Sequence, residues 1–205
     1  MTKLVIYDCD GVLFDSREAV LAYYDFISEK FDLPKINKND VDQVNKAMMK
    51  TNVEIINMLT EDKNKIKEIL DFANNMSFKN FLGLMKPEKN LKETLQILHE
   101  KGLKMAVFTN RGHSLHYLLK HYEIDSFFSC KITSFDVENS KPHPEGIFKI
   151  LDFFNVDEKD TIYIGDSSTD YFAAKKSGVP FLAFNNNLYE APVISDHKDL
   201  IRYIT

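Results

Sequence analysis

The chain has 205 residues, 44% apolar and 12% aromatic, with a formal net charge of −5. That is enough apolar chain for a packed core, which excludes a disordered or fibrous protein, and an acidic balance with no basic run longer than Lys175-Lys176 argues against a nucleic-acid partner. No run is long enough to span a membrane, and Cys9 and Cys130 lack the spacing of a zinc or redox pair, so a soluble, cytoplasmic protein is expected.

The first predicted element is the strand Leu4–Cys9, whose apolar stretch Leu4–Tyr7 is too short for a signal-peptide core and runs straight into Asp8, with Asp10 and Gly11 just beyond. A crossover to a parallel strand needs about a dozen residues, yet about ninety precede the next strand, Lys104–Thr109. The excess has helical periodicity. Val20, Tyr23, Tyr24, Ile27 and Phe31 make one stripe, and Ile66, Ile69, Leu70, Ala73 and Met76 another, with Asn39–Lys50 and Asn52–Thr60 between them. Residues 16–82 are therefore expected to be a helical cap inserted into a core of residues 1–15 and 83–205. In that core, a helix over Asn90–Lys101 buries Leu91, Leu95 and Leu98 and closes at Gly102. Strand Lys104–Thr109 follows, then strand Ser129–Thr133 and helix Pro144–Asn155. Strand Thr161–Gly165, helix Thr169–Ser177 stopped by Gly178 and Pro180, and strand Phe181–Phe184 complete the pattern. This alternation predicts an α/β fold, a doubly wound parallel sheet with a Rossmann-like core and helices on both faces.

Open α/β sheets bind ligands beyond the carboxyl ends of their strands. Asp8 and Asp10 follow the first strand, Thr109, Asn110 and Arg111 the second, and Asp166 and Asp170 the fourth, while Lys141 and Pro142 precede the Pro144 helix. Each has an ordinary reading alone: a solvated turn, a helix N-cap, a surface loop. Their joint placement at one sheet edge is hard to obtain by accident. Asp8 and Asp10 point the same way if the strand stays extended, and such close like charges need a cation or a shared proton. Several carboxylates with a few waters suit Mg²⁺.

The segment Asp8–Ser16, followed in order by Thr109, Lys141 and Asp166/Asp170, resembles the four motifs of the haloacid dehalogenase-like hydrolases. The wording of the first motif and the cap position are similar to the phosphoglycolate phosphatase and β-phosphoglucomutase branch. The resemblance implies that Asp8 is a nucleophile that becomes an aspartyl-phosphate, and that Asp10 protonates the leaving oxygen and then helps activate water. It implies that Thr109 and the Asn110 amide hold phosphoryl oxygens while Lys141 neutralises charge. Mg²⁺ would be held by Asp8, the Asp10 backbone carbonyl and Asp166, with Asp170 a supporting partner or alternative ligand. An acid at Asp10 points to a phosphatase acting on a small phosphorylated metabolite, with a β-phosphoglucomutase-like phosphomutase as the alternative. A catalytically silent binding relative would have lost Asp8, Asp10, Lys141 or Asp166, and all four are present.

Some residues have two readings. Arg111, which with Arg17 and Arg202 makes up the arginines, could reach a substrate anion or make a surface or cap contact. Lys46 and Lys50, in a stretch with Met48, Met49 and Asn52, could meet substrate or solvent. His113 and His116, a helical turn apart, could bind metal or line a solvated face, and His143 is loop. Nothing in the sequence specifies an oligomeric state.

Overall fold

The computed structural model describes residues 1–204 apart from Thr51, Ser77, His113 and Leu188, with Met49 described by its backbone alone. The chain separates into two compact units, Met1–Asp15 with Lys86–Thr205, and Ser16–Met85. Strands in chain order are β1 (Leu4–Tyr7), β2 (Phe14–Asp15), β3 (Lys86–Pro87), β4 (Lys104–Phe108), β5 (Cys130–Ile132), β6 (Thr161–Gly165), β7 (Phe181–Phe184) and β8 (Val193–Ile194). Helices α1 (Arg17–Phe31), α2 (Val41–Met49), α3 (Asn52–Leu59) and α4 (Lys63–Asn75) belong to the second unit. Helices α5 (Leu91–Glu100), α6 (Ser114–His121), α7 (Glu145–Phe154) and α8 (Ser168–Ser177) belong to the first.

The first unit is a Rossmann-like α/β fold on a six-stranded parallel sheet in the order β5-β4-β1-β6-β7-β8. All four residues of β1 are fully buried, so both faces of the sheet are covered, as a parallel sheet requires. On one face Leu4, Ile6, Ala106, Phe108 and Tyr163 pack against Ile147, Ile150 and Leu151 of α7 and Ala173 and Ala174 of α8. Each such Leu or Ile contributes about 1.5–3 kcal/mol on burial. The helix ends follow the expected chemistry. Gly102 just past α5 and Gly178 at the C-cap of α8 take left-handed backbone, with φ of 76° and 78°.

Four elements escape sequence periodicity. β8 has two residues, too few for an apolar run, yet it pairs in parallel with β7 through Ala183–Val193 and Phe184–Ile194. β2 and β3 form an antiparallel pair, Phe14 with Pro87 and Asp15 with Lys86. Helix α6, which carries His116, begins directly after the second strand-end loop without an apolar stripe singled out in the sequence.

In the second unit, Asp40 and Asp62 cap α2 and α4 by accepting from backbone amides two and three residues on. Tyr23 meets Tyr24, Phe78 and Phe81 edge-on or tilted, and Asn52 joins the two tyrosines, accepting from the Tyr24 hydroxyl at 2.8 Å and donating to that of Tyr23 at 3.0 Å. Asn52 is thus a packing residue. Among the described residues, no helix is long and apolar enough to cross a membrane.

Candidate active site

Register brings three strand ends level. Tyr7 pairs with Val107 of β4 and Ile164 of β6, so Asp8, Thr109 and Asp166 follow on neighbouring strands. The Asp8 amide donates to the Ile164 carbonyl at 2.9 Å, which ties the aspartate to β6 as its strand ends. Beyond it the chain turns tightly, with the amides of Leu13 and Phe14 both donating to the Cys9 carbonyl. Gly11 makes this turn at φ +78°, and a Cβ there would lie 2.0 Å from Asp166 Oδ2. Only glycine meets both demands. Across this turn the two carboxylates take different partners, Asp8 bonding Lys141 and Asp10 bonding Arg111.

Lys141 stands at the centre, its side chain 3% exposed. Its ammonium donates to Asp8 Oδ1 at 2.7 Å and Asp170 Oδ1 at 2.6 Å. Its backbone is gripped by the Asn110 side chain, which accepts from the Lys141 amide at 3.0 Å and donates to the Lys141 carbonyl at 3.1 Å. Asn110, expected to act through its backbone amide, therefore also positions the lysine.

Asp170 sits in the first turn of α8, where it forms a capping box with Ser167. Its Oδ2 accepts from the Ser167 amide at 3.0 Å and hydroxyl at 2.5 Å, and its Oδ1 accepts from the Tyr163 hydroxyl at 2.7 Å besides Lys141. A carboxylate has about four lone-pair sites, and four donors take them. Asp166 differs. Asp8, Asp166 and Asp170 each offer an oxygen within 4.8 Å of the others, yet no hydrogen bond reaches the Asp166 carboxylate among the described residues. Its backbone carbonyl is held by the Asn186 side chain at 2.7 Å.

The electrostatics follow. Burial pushes the Asp8 carboxyl above its ordinary range, reinforced by the charge of Asp170 and opposed by Lys141. Burial likewise raises Asp166, reinforced by Asp8 and Asp170. Burial would raise Asp170 as well, but Lys141, Ser167 and Tyr163 outweigh it and hold the group low. Lys141 stays charged because Asp170 and Asp8 outweigh its own burial. Two carboxylates pushed up side by side, one of them with free acceptor capacity, fit a hard divalent cation.

Thr109 is buried, its amide bonded to the Ile132 carbonyl at 3.0 Å and its hydroxyl accepting from the Arg111 amide at 3.1 Å. The Arg111 side chain is turned inward, only 7% exposed. It grips the Asp10 carboxylate with two prongs, Nε to Oδ2 at 2.9 Å and Nη2 to Oδ1 at 2.5 Å, and donates through Nη1 to Ser114 Oγ at 3.0 Å.

Other expected residues lie elsewhere. Lys46 is ion-paired with Asp42 on α2, and Lys50, at the C-cap of that helix, with Glu54 at 3.0 Å. His116 faces Asp125 at 3.4 Å, while its suggested partner His113 lies outside the described residues. His143 accepts from the Glu145 amide at 3.3 Å. Tyr163, Ser167, Asn186 and His197 were not singled out from sequence. Of these only Ser167 had a legible signal, the capping-box spacing to Asp170. His197 is fully buried and bonds the Val12 carbonyl through Nε2 at 2.9 Å, steadying the loop that carries Asp10.

Comparison with known proteins gives the same outline. A sequence model of the haloacid dehalogenase-like hydrolases matches residues 5–184. The chain is 28% identical over 175 residues to the pyrophosphatase PpaX of Anoxybacillus flavithermus, covering 85% of this chain and 79% of that one. It is 26% identical over 211 residues to a phosphoglycolate phosphatase of Haemophilus influenzae, covering 97% and 93%. In structure it is similar to a subfamily IA hydrolase of the same superfamily from Geobacter sulfurreducens, at a TM-score of 0.87 and 32% identity, over 100% of this chain and 97% of that one. The matched span runs from β1 to β7 and carries every strand-end residue discussed above, so the chain belongs to the haloacid dehalogenase-like hydrolases, among relatives named as phosphatases.

Proposed function

We propose that the protein is a magnesium-dependent phosphatase that hydrolyses a small phosphorylated metabolite through a phosphate carried on Asp8. The observation that carries this reading is Lys141 bridging Asp8 and Asp170 beside an Asp166 carboxylate that accepts no hydrogen bond among the described residues, at the ends of parallel strands. Asp8 and Asp166, with the Asp10 backbone carbonyl, would hold Mg²⁺, which when bound supplies positive charge for a phosphate dianion arriving among carboxylates. Asp170, its acceptor sites filled, keeps Lys141 on Asp8 rather than binding metal.

In the first half-reaction an Asp8 carboxylate oxygen attacks phosphorus, the bond to the leaving oxygen breaks, and Asp10 gives that oxygen its proton. In the second, Asp10 takes a proton from water as the water oxygen attacks phosphorus, releasing inorganic phosphate and restoring Asp8. Thr109 and the Asn110 amide hold the transferring oxygens while Lys141 balances their charge. The two relatives' named substrates, pyrophosphate and phosphoglycolate, share one trait: the part left behind is itself anionic.

A panel of phosphorylated metabolites with free phosphate as readout tests the reading. Release should require Mg²⁺ and stop with excess chelator. Undiminished release in chelator would remove the metal from the account, and phosphate transfer within a sugar phosphate without release would favour the phosphomutase.

A further inference from the structure

We propose that Arg111 is the specificity-determining residue of this site: its guanidinium rests on Asp10 and passes to an anionic group on the leaving part of the substrate. The inference rests on the phosphatase reading above and adds to it a substrate class, phosphate monoesters or anhydrides whose leaving part carries a carboxylate or phosphate close to the bridging oxygen.

Three observations carry it. First, the guanidinium lies almost wholly buried, with its side chain 7% exposed, whereas the carboxylate it holds is 33% exposed, so the pair opens toward solvent on the Asp10 side. Second, the grip is two-pronged and nearly planar in demand, with Nε and Nη2 each on a separate Asp10 oxygen at 2.9 and 2.5 Å. This fork matches the paired oxygens of a carboxylate or of a phosphate, a shape that a point-charge cation does not select. Third, Arg111 directly follows Thr109 and Asn110, and its amide donates to the Thr109 hydroxyl at 3.1 Å, so the fork is tied to the loop assigned to the phosphoryl oxygens.

Charge balance governs the exchange. A buried guanidinium stripped of its counter-charge is strongly disfavoured, so Arg111 leaves Asp10 only when another anion replaces it. A leaving part with its own negative charge provides that anion at the moment Asp10 must turn to the leaving oxygen. A neutral leaving part does not, and Asp10 then stays clamped. Because Asp10 touches the leaving oxygen in the proposed chemistry, a group within hydrogen-bonding distance of Asp10 also lies within reach of an anion only a few bonds from that oxygen. Ser114, which accepts from Nη1, holds the far side of the fork in place during the exchange.

The test compares kcat/KM for 2-phosphoglycolate and pyrophosphate with that for methyl phosphate in the wild-type chain, Arg111→Gln and Arg111→Lys. The proposal expects both anionic substrates to be preferred by the wild type, and the preference to fall about tenfold or more in Arg111→Gln, with partial recovery in Arg111→Lys. A loss confined to 2-phosphoglycolate or to pyrophosphate would assign the fork to a carboxylate or to a second phosphate respectively. Equal losses on all three substrates would make Arg111 a structural residue and overturn the proposal. Calorimetric binding to the Asp8→Asn chain repeats the comparison without turnover: 2-phosphoglycolate should bind more tightly than methyl phosphate, and the difference should vanish when Arg111→Gln is added. A wild-type chain that releases phosphate from p-nitrophenyl phosphate without preferring anionic substrates would sink this inference alone. Failure to release phosphate from any of them would sink the phosphatase reading, and this inference with it.

Discussion

Asp166 and Asp170 are a helical turn apart in sequence and play different parts. Asp170 is saturated by Lys141, Tyr163 and Ser167, while Asp166 keeps its acceptor capacity. Asp166→Asn should therefore raise the Mg²⁺ concentration for half-maximal activity by about tenfold or more. Asp170→Asn should lower turnover by loosening Lys141 and move that concentration less. A Mg²⁺ titration of both variants checks the ordering, and the reverse ordering would exchange the two assignments. Asp10→Asn should slow alkyl phosphates by about 10²–10⁴ and spare p-nitrophenyl phosphate, whose leaving group needs no proton. Equal slowing of both would remove the acid role. These positions were legible because each follows a strand, and strand ends converge in this architecture. Their hydrogen-bond partners were not. The Arg111–Asp10 pair joins residues 101 apart in sequence, and only the register of β1 against β4 brings their loops together.

At the scale of elements, the loop after β1 depends on a residue from the far end of the chain. His197 bonds the Val12 carbonyl, lies against Phe184 and Tyr7, and leaves Nδ1 with no partner among the described residues. Burial lowers its pKa to about 4. The unfolded chain, with histidine near 6.5, binds the proton first, so this stability is complete above about pH 6.5 and is lost as pH falls towards 4. The loss amounts to about 3 kcal/mol over that window. His197→Gln can still donate to Val12 but does not titrate, so its denaturation midpoint should fall less between pH 7 and pH 4 than that of the wild type. Parallel slopes would contradict the assignment. Sequence periodicity found the long elements because burial imposes a period on them. It could not find β2, β3 or β8, since two residues make no pattern and their pairing partners are supplied by tertiary structure. His197 was invisible for the same reason: a lone histidine in a polar C-terminal stretch shows its role only once β8 has turned it inward.

At the scale of the whole molecule, the unit over Ser16–Met85 leaves and rejoins the first unit at the paired strands β2 and β3. That boundary falls later than the helical pattern suggested, because the stretch Phe78–Leu84 is a 3₁₀ helix without a 3.6-residue period. Since Asp15 and Lys86 are already neighbours, joining them by a short glycine turn should leave the sheet and its core intact. Such a chain should keep a cooperative thermal transition and its far-ultraviolet dichroism, and a molten product would show that the first unit needs the second to fold. The central claim, however, concerns one covalent bond on the first unit. The chain should be mixed with a turned-over phosphate ester and Mg²⁺, quenched in acid within a turnover, digested and weighed by mass spectrometry. The account predicts one added phosphate on the peptide that contains Asp8, removed by hydroxylamine and missing in Asp8→Asn. Steady phosphate release with no phosphate on that peptide, or retained by Asp8→Asn, would contradict it.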